Sequence, residues 1–361
     1  MKLKNLSKIM PLCVLACLTS CNAAMTTAEL EFIDEKVEVT LSEEKFGYVK
    51  KVKRILNELE PYADPSYVAR LFDKYRDNSS ESIRKMFAFT DDFPVFDMLE
   101  KTIVDSDHNY SYSGFISYDN GYKAKLKKVI NEGRSPYGYD DEYYEIEELR
   151  QDLTNANFRY SEARNSPDKW FTQVSYTSYS GDLTFDFRPV IEGFALEKIS
   201  RYLTDYGRCK AFSVKTSPNN MYVLSGPDGA TKDYTFDGPY GKPITIKNIN
   251  EAYISVASAV NNKTIIDGVT YSPKFIDLEG ARIENDAAIV IAVKPVGNYG
   301  IHGGIETPQY AFKRMKRYDT NFSYDEQYGV CTILFRNEEI VYCSKQLDVK
   351  YGGVSYGKQY V

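Results

Sequence analysis

Seven consecutive apolar residues, Ala-Ala-Ile-Val-Ile-Ala-Val at 287–293, constrain the fold more than any other stretch of this chain. A strand with one wet face alternates apolar and polar positions, whereas an unbroken apolar run is covered on both faces. The run therefore predicts a strand buried on either side. Around it, the second half of the chain alternates strand and helix patterns. Strands are predicted at 174–179, 183–187, 211–214, 221–224, 253–257, 264–266 and 269–271. Phe194, Leu196, Ile199, Tyr202, Leu203 and Tyr206 trace the apolar side of a helix over 192–206, which Gly207 closes as a C-terminal cap. Another helix is predicted at 306–315, and a hairpin pattern (VCTILF, then RNEE, then IVYC) ends the core.

The first half reads as mainly helical. Val49, Val52, Ile55, Leu56 and Leu59 fall at three- and four-residue steps across 45–60, and Pro61 and Pro65 stop that helix. A second helix follows over 65–75 with Asp64 as its N-cap. Residues 105–141 look like loops around one helix near 121–132. The acidic stretch 140–153 (DDEYYEIEELRQDL) reads as an exposed helix, since early acids suit the helix dipole. It lacks the Gly-punctuated spacing of a calcium-binding loop. Together these elements predict an α+β fold, a mixed, largely antiparallel sheet with packed helices. It forms a single domain over 45–345, with a tether at 21–44 before it and a loose tail at 346–361 after it.

The N-terminus predicts export. Lys2, Lys4 and Lys8 precede ten residues dominated by apolar side chains, 9–18, interrupted at Pro11. A spanning helix needs roughly 20 apolar residues, so ten suit a cleaved signal instead. Leu18-Thr19-Ser20-Cys21 then resembles the bacterial lipobox. That resemblance implies a signal peptide at 1–20, acylation of Cys21 and attachment to a membrane of the cell envelope. Several acyl chains anchor stably where one is marginal. Asn22 after the cysteine leans towards the outer membrane or its periplasmic face, or the cell surface.

Composition excludes several functions. Loss of the leader removes three lysines and no acid, taking the formal charge from -6 to -9. An acidic chain argues against nucleic acid as a partner, because phosphate backbones need clustered Lys and Arg. Only His108 and His302 are present, so a three-histidine zinc site is excluded. Beyond the leader and Cys21 there are three cysteines, Cys209, Cys331 and Cys343. Cys331 and Cys343 flank the terminal hairpin and either bridge or remain core thiols; outside the cytosol a bridge is permitted. Tyrosine is abundant, at 31 residues, and a Tyr-rich surface suits glycan or protein binding.

No phosphate loop, dinucleotide fingerprint, HExxH helix or nucleophile elbow is present. The order of features from Phe185 onwards nevertheless resembles one family. A strand ends at Asp186. Glu192-Gly193-Phe194-Ala195 then opens a helix that holds an acid at Glu197 and ends at Gly207. Val256-Ala257-Ser258-Ala259 ends a strand. Next come the segment 274–280 (KFIDLEG), the apolar run, and His302-Gly303-Gly304-Ile305-Glu306-Thr307 at a helix start. In the first half, Tyr112-Ser113-Gly114-Phe115 matches part of a further segment, with Ile116 where an acid is usual. This order is similar to that of the FAD:protein FMN transferases (ApbE-like), over roughly 45–345.

The resemblance implies Mg²⁺-dependent transfer of FMN from FAD to a Ser or Thr of an envelope flavoprotein acceptor. It implies cofactor contacts at Gly193, Phe194, Ser258 and Gly280, a metal ligand at Thr307, and catalytic candidates at Asp277 and Glu192. The pattern is broken in three places: Glu192 stands for the family's lysine, Gly303 for its metal-binding Asp, and Lys274 for its histidine. Mg²⁺ depends on oxygen ligands and neutralises charge on the pyrophosphate. Glu192 near phosphates should repel them. A degenerate, inactive descendant is therefore one expectation, and a non-catalytic lipoprotein binding glycan or protein through Tyr residues is the alternative. Structural roles are also open: Gly193 in a tight turn, Asp277 as a turn acid, Thr307 as a helix cap ahead of Pro308.

Overall fold

A computed structural model describes residues 26–42, 46–76, 84–90, 118–138, 141–156, 159–166, 169–179, 183–216, 222–226, 232–237, 241–249, 251–259, 262–283, 289–295, 303–316, 329–336 and 338–357. The expected signal at 1–20, Cys21, the 112–116 segment and His302 lie outside them. The fold is α+β, with largely antiparallel sheets and packed helices.

The apolar run forms the strand Ile289–Pro295, two residues later than the sequence pattern suggested. It sits inside a four-stranded antiparallel sheet, between Ala252–Ser258 and Cys331–Arg336, with Glu339–Cys343 at the far edge. One face carries Ile254, Ile291, Val293 and Ile333, packed on Ile244, Ile246 and Val349 of a second sheet. On the other face, Ala257 and Leu334 pack on Tyr310, Ala311 and Met315 of the helix Gly303–Lys316. A sheet held between another sheet and a helix leaves no wet position on its inner strands, which accounts for the unbroken run.

Both chain ends are more ordered than their sequence suggested. Residues expected as tether form a hairpin, Thr26–Phe32 with Glu35–Leu41, whose second strand pairs with Phe212–Lys215. Ile33 and Asp34 make its turn, both with positive φ (53° and 59°). The alternation of buried Val37, Val39 and Leu41 is the strand signal within that segment. The expected loose tail forms another hairpin, Asp348–Tyr351 with Val354–Gly357, joined to Pro243–Ile249. Val349 and Tyr351 are buried there.

Other boundaries shift for local reasons. The Asp64 carboxylate accepts a hydrogen bond from the Ser66 amide at 2.9 Å, capping Pro65–Lys74 as expected. The predicted 192–206 helix starts earlier, spanning Arg188–Arg201, with Pro189 in its first turn where a missing N–H costs nothing. It then widens into a π turn, Tyr202–Tyr206. Gly207 is not a left-handed cap, since its φ is −77°; Arg208 takes the left-handed conformation, with φ 50°. In the terminal hairpin a bulge between Leu334 and Phe335 shifts the register, so Cys343 lies opposite Ile333 and Cys331 opposite Val293. Cys331 and Cys343 are thiols, not a disulfide, and burial pushes the Cys343 thiol up to about 12. The acidic helix Asp141–Asn155 buries Ile146, Leu153 and even Asp152. Asp152 accepts from the Ser178 hydroxyl (2.8 Å) and the Tyr179 amide (2.6 Å), so it fastens the helix to the chain that follows.

The Arg188–Arg201 helix crosses the start of Gly303–Lys316 at glycine contact. A Cβ on Gly193 would overlap the Gly304 carbonyl, and one on Gly304 would overlap the Gly193 carbonyl. Backbone cannot yield as a flexible side chain does. Gly193→Ala should therefore destabilise the protein by about 3 kcal/mol, the upper range for overpacking. Chemical denaturation of the variant beside Gly47→Ala, where a methyl meets open space, checks this.

Candidate functional site

Where the N-terminal hairpin, the Arg188–Arg201 helix and the edge of the central sheet converge, a cavity of about 380 Å³ opens. That lies within the usual range for small-molecule sites, roughly 300–1,000 Å³. The hairpin contributes Ile33 and Glu35, and the helix Tyr122–Asn131 contributes Lys123 and Lys127 one turn apart. Asp186, Arg188, Pro189 and Glu192 line it from the start of the long helix. Ser255, Val256 and Ala257 come from the central sheet, Tyr222 from the segment beside it, and residues 273–276 from the loop before Asp277. Pro308 and Phe312 complete the wall.

Charge divides the cavity into two parts. Lys123, Lys127 and Arg188 form one cluster. Arg188 binds Asp186 through two bonds of 2.8 and 2.6 Å. Burial works against ionising Asp186, yet the Arg188 contacts prevail and hold its carboxyl low. Burial lowers the Lys123 ammonium, against the pull of Asp119 and Asp186. The second cluster holds Glu35, Glu192 and Lys274. Burial, then the Glu35 charge, pushes Glu192 up to about 7, against a Thr216 hydrogen bond and the Lys274 charge. Lys274 is pushed down by burial, with Glu35 and Glu192 opposing. One carboxylate oxygen of Glu35 and one of Glu192, both Oε2, are buried without a hydrogen-bond partner. Beside them Tyr222 is buried, its phenol raised by desolvation and bonded to Ser255.

Of the cofactor, metal and catalytic candidates named from the sequence, Glu192 alone lines this cavity, together with Lys274, which stands at the family's histidine position. Gly193 belongs to the helix crossing. Phe194 is buried in the main core, with the Lys198 ammonium 4.9 Å from its ring centroid. Neither is a cavity wall, because one turn of helix places Glu192 towards the cavity and its successors towards the core. Ser258 ends the central-sheet strand opposite Ile289, beyond the lining residues. Asp277 and Gly280 close a turn by exchanging backbone bonds of 3.0 Å, with Gly280 at φ +102°. The Asp277 carboxylate caps the Glu279 amide (2.8 Å) and pairs with Lys316 (3.1 Å). The Lys316 ammonium also donates to Phe275 O (3.3 Å) and Gly280 O (2.5 Å). Asp277 thus fixes the loop that presents Lys274 and Phe275 to the cavity.

The helix start at Gly303 tests the expected metal. Thr307 is fully buried, and its hydroxyl donates to the Gly303 carbonyl at 2.8 Å. The Glu197 carboxylate accepts from the Ile305 amide at 3.1 Å, answering the positive end of the helix from within the protein. Among the described residues, no group of three or more His, Cys, Asp or Glu side chains is placed to hold a metal ion. These residues do not fit a Mg²⁺ site centred on Thr307.

Sequence reasoning missed Glu35, Lys123, Lys127, Arg188, Tyr222 and Lys316. Lys123 and Lys127 carried the only local signal, a four-residue spacing on one helix face.

No family model and no curated protein matches the chain. Its fold matches solved structures. An ApbE protein from Thermotoga maritima superposes with a TM-score of 0.56 at 10% identity, covering 86% of this chain and 93% of that one. A point mutant of the flavin transferase ApbE from Vibrio cholerae gives 0.56 at 13%, covering 88% and 97%. The apo flavinyl transferase ApbE of Pseudomonas stutzeri gives 0.56 at 14%, covering 88% and 93%. The chain therefore has the ApbE-like fold, at low sequence identity.

Two measurements test this geometry. Lys316→Met leaves the Asp277 carboxylate buried without its cation, which typically costs about 3–5 kcal/mol; a drop of that size in denaturant unfolding is expected. For Glu192, the folded pKa near 7 exceeds the ordinary 4.5, so the folded state holds its proton longer. The associated stability is complete below pH 4.5 and is lost as pH rises to 7, by roughly 3 kcal/mol at about 1.4 kcal/mol per unit. Glu192→Gln should flatten this fall in melts taken across pH 4.5–8, and an unchanged profile would contradict the assignment.

Proposed function

We propose that this chain is a lipid-anchored envelope protein that binds a flavin nucleotide in the 380 Å³ cavity without performing magnesium-dependent FMN transfer. The observation that carries the reading is the cavity's charged division on a flavin-transferase fold. Lys123, Lys127 and Arg188 offer a cationic wall for phosphate oxygens, and partly desolvated cations bind phosphate strongly. Incoming phosphate restores the favourable environment that burial denies Lys123. Pro189, Val256, Phe275 and Phe312 give apolar surface for a ring system.

Loss of transfer follows from the helix start at Gly303. Bound Mg²⁺ would neutralise charge building on a pyrophosphate. Here Glu197 takes the Ile305 amide and Thr307 is sealed inside the core. The cavity-lining residues therefore bind and orient a nucleotide, and the described residues at the Gly303 helix start leave no metal site to assist breakage of its pyrophosphate. FAD and FMN both carry the required chemistry. The lipid on Cys21 would hold the domain at a membrane of the envelope, beside flavoprotein partners. Only four residues separate Cys21 from the strand Thr26–Phe32, so the hairpin that supplies Glu35 would lie close to that membrane.

The test uses the chain without its leader and with Cys21→Ala. FAD is titrated with and without Mg²⁺, following flavin fluorescence and AMP release. The expected outcome is saturable binding that does not require Mg²⁺, with no AMP. Mg²⁺-dependent AMP would show an active transferase or hydrolase. A folded protein that binds no flavin would sink the reading and favour the Tyr-rich surface as the binding face.

A further inference from the structure

The flavin reading leaves the second half of the cavity unexplained. Glu35, Glu192 and Lys274 converge there from three elements: the N-terminal hairpin, the long helix and the loop before Asp277. Two of their carboxylate oxygens are buried with no hydrogen-bond partner. A buried acceptor in that state costs the full desolvation of the group, and natural proteins keep few of them. Phosphate cannot satisfy these oxygens, because it would bring negative charge to two acids. A ligand group that carries an N–H or O–H donor completes them.

We infer that Glu35, Glu192 and Lys274 form a subsite that reads the imide edge of a bound heterocycle, the acceptor–donor–acceptor face of a flavin's pyrimidine ring. This rests on the flavin reading and specifies which end of the ligand the acidic cluster holds. The pattern of groups is complementary. An imide presents two carbonyl oxygens flanking one N–H. The Lys274 ammonium donates to one carbonyl. One ionised carboxylate accepts from the N–H. The other carboxyl, carrying a proton, donates to the second carbonyl. Glu192 is the carboxyl that keeps this proton, because burial and then the charge of Glu35 oppose its ionisation.

The other groups facing Glu192 do not change this count of charges. Thr216 supplies a neutral hydrogen bond, and the Tyr222 phenol stays protonated beside Ser255. The cationic wall of Lys123, Lys127 and Arg188 then takes the phosphate end of the same ligand. The cavity recognises a molecule that is an imide at one end and a phosphate ester at the other.

The experiment uses the leaderless Cys21→Ala chain and two probes, riboflavin and N3-methylriboflavin, which differ only at the imide nitrogen. FMN serves as the positive control for the whole site. Fluorescence titrations at pH 7 should show the methylated probe binding at least tenfold more weakly. Glu192→Gln, of matching shape, should reduce that discrimination to within about threefold, and Glu35→Gln, on a different element, should do likewise. Riboflavin affinity should also fall as pH rises through about 7, where Glu192 loses its proton, and Glu192→Gln should lose that dependence. FMN binding with no discrimination between the probes would overturn the imide subsite and leave the flavin reading standing. Absence of FMN binding by the folded protein would overturn both.

Discussion

The contact between Gly193 and Gly304 sets the position of everything else at the site. Two helices meet there backbone to backbone, closer than any side chain permits. That approach brings Glu197 within reach of the Ile305 amide, so the crossing is locked by a hydrogen bond between helices as well as by shape. The helix Gly303–Lys316 then lies across the central sheet and covers its second face. Its last residue, Lys316, reaches the Asp277 turn and ties down the loop carrying Lys274. One glycine contact at the start of a helix thus fixes a cavity wall at its end.

The buried pair of Asp277 and Lys316 illustrates why a motif residue need not be a catalytic one. Removing two charges from water is costly, and the pair compensates only because each charge has further partners. Asp277 accepts the Glu279 amide, and Lys316 donates to two carbonyls of the same loop. Tyr122, at the start of the helix bearing Lys123, donates to the Asp277 carbonyl at 3.0 Å. The same node therefore connects both charged clusters of the cavity to one rigid turn. Stability and the placement of the ligand-facing groups are carried by the same few bonds.

Much of the fold was legible because its signals are local. The unbroken run at 287–293 announced a doubly covered strand, and Asp64 ahead of Pro65 announced a cap. The hairpin of residues 26–41 was missed because its alternation (Ala28, Leu30 and Phe32, then Val37, Val39 and Leu41) is short and lies within a segment that reads as tether. The register of Cys331 and Cys343 was open in the sequence because a bulge, not loop length, decides it. For the site, spacing along the chain located Glu192 but could not say which neighbouring residue faces inward. Gly193 and Phe194 are adjacent to it and turn to the helix crossing and the core. Glu35 lies 157 positions before Glu192 and no local pattern joins them; only the pairing of Glu35–Leu41 with Phe212–Lys215 does.

The sequence also predicted that a glutamate in place of a lysine would repel phosphate. The geometry removes the premise of that argument. Repulsion needs a full charge close to the phosphate, and Glu192 is only partly ionised near neutral pH. Its proton is retained to about pH 7, because burial and Glu35 both oppose ionisation. The groups whose charges it feels are Glu35 and Lys274, while Lys123 feels Asp119, Asp186, Lys127 and Arg188. The glutamate therefore does not occupy the cationic end at all. In the proposed site its substitution would change which ligand edge that part of the cavity accepts, and the attraction for phosphate would rest with a separate set of residues. A broken motif of this kind is a change of specificity as readily as a loss of binding, and the two are distinguished by where the replaced charge sits relative to its neighbours.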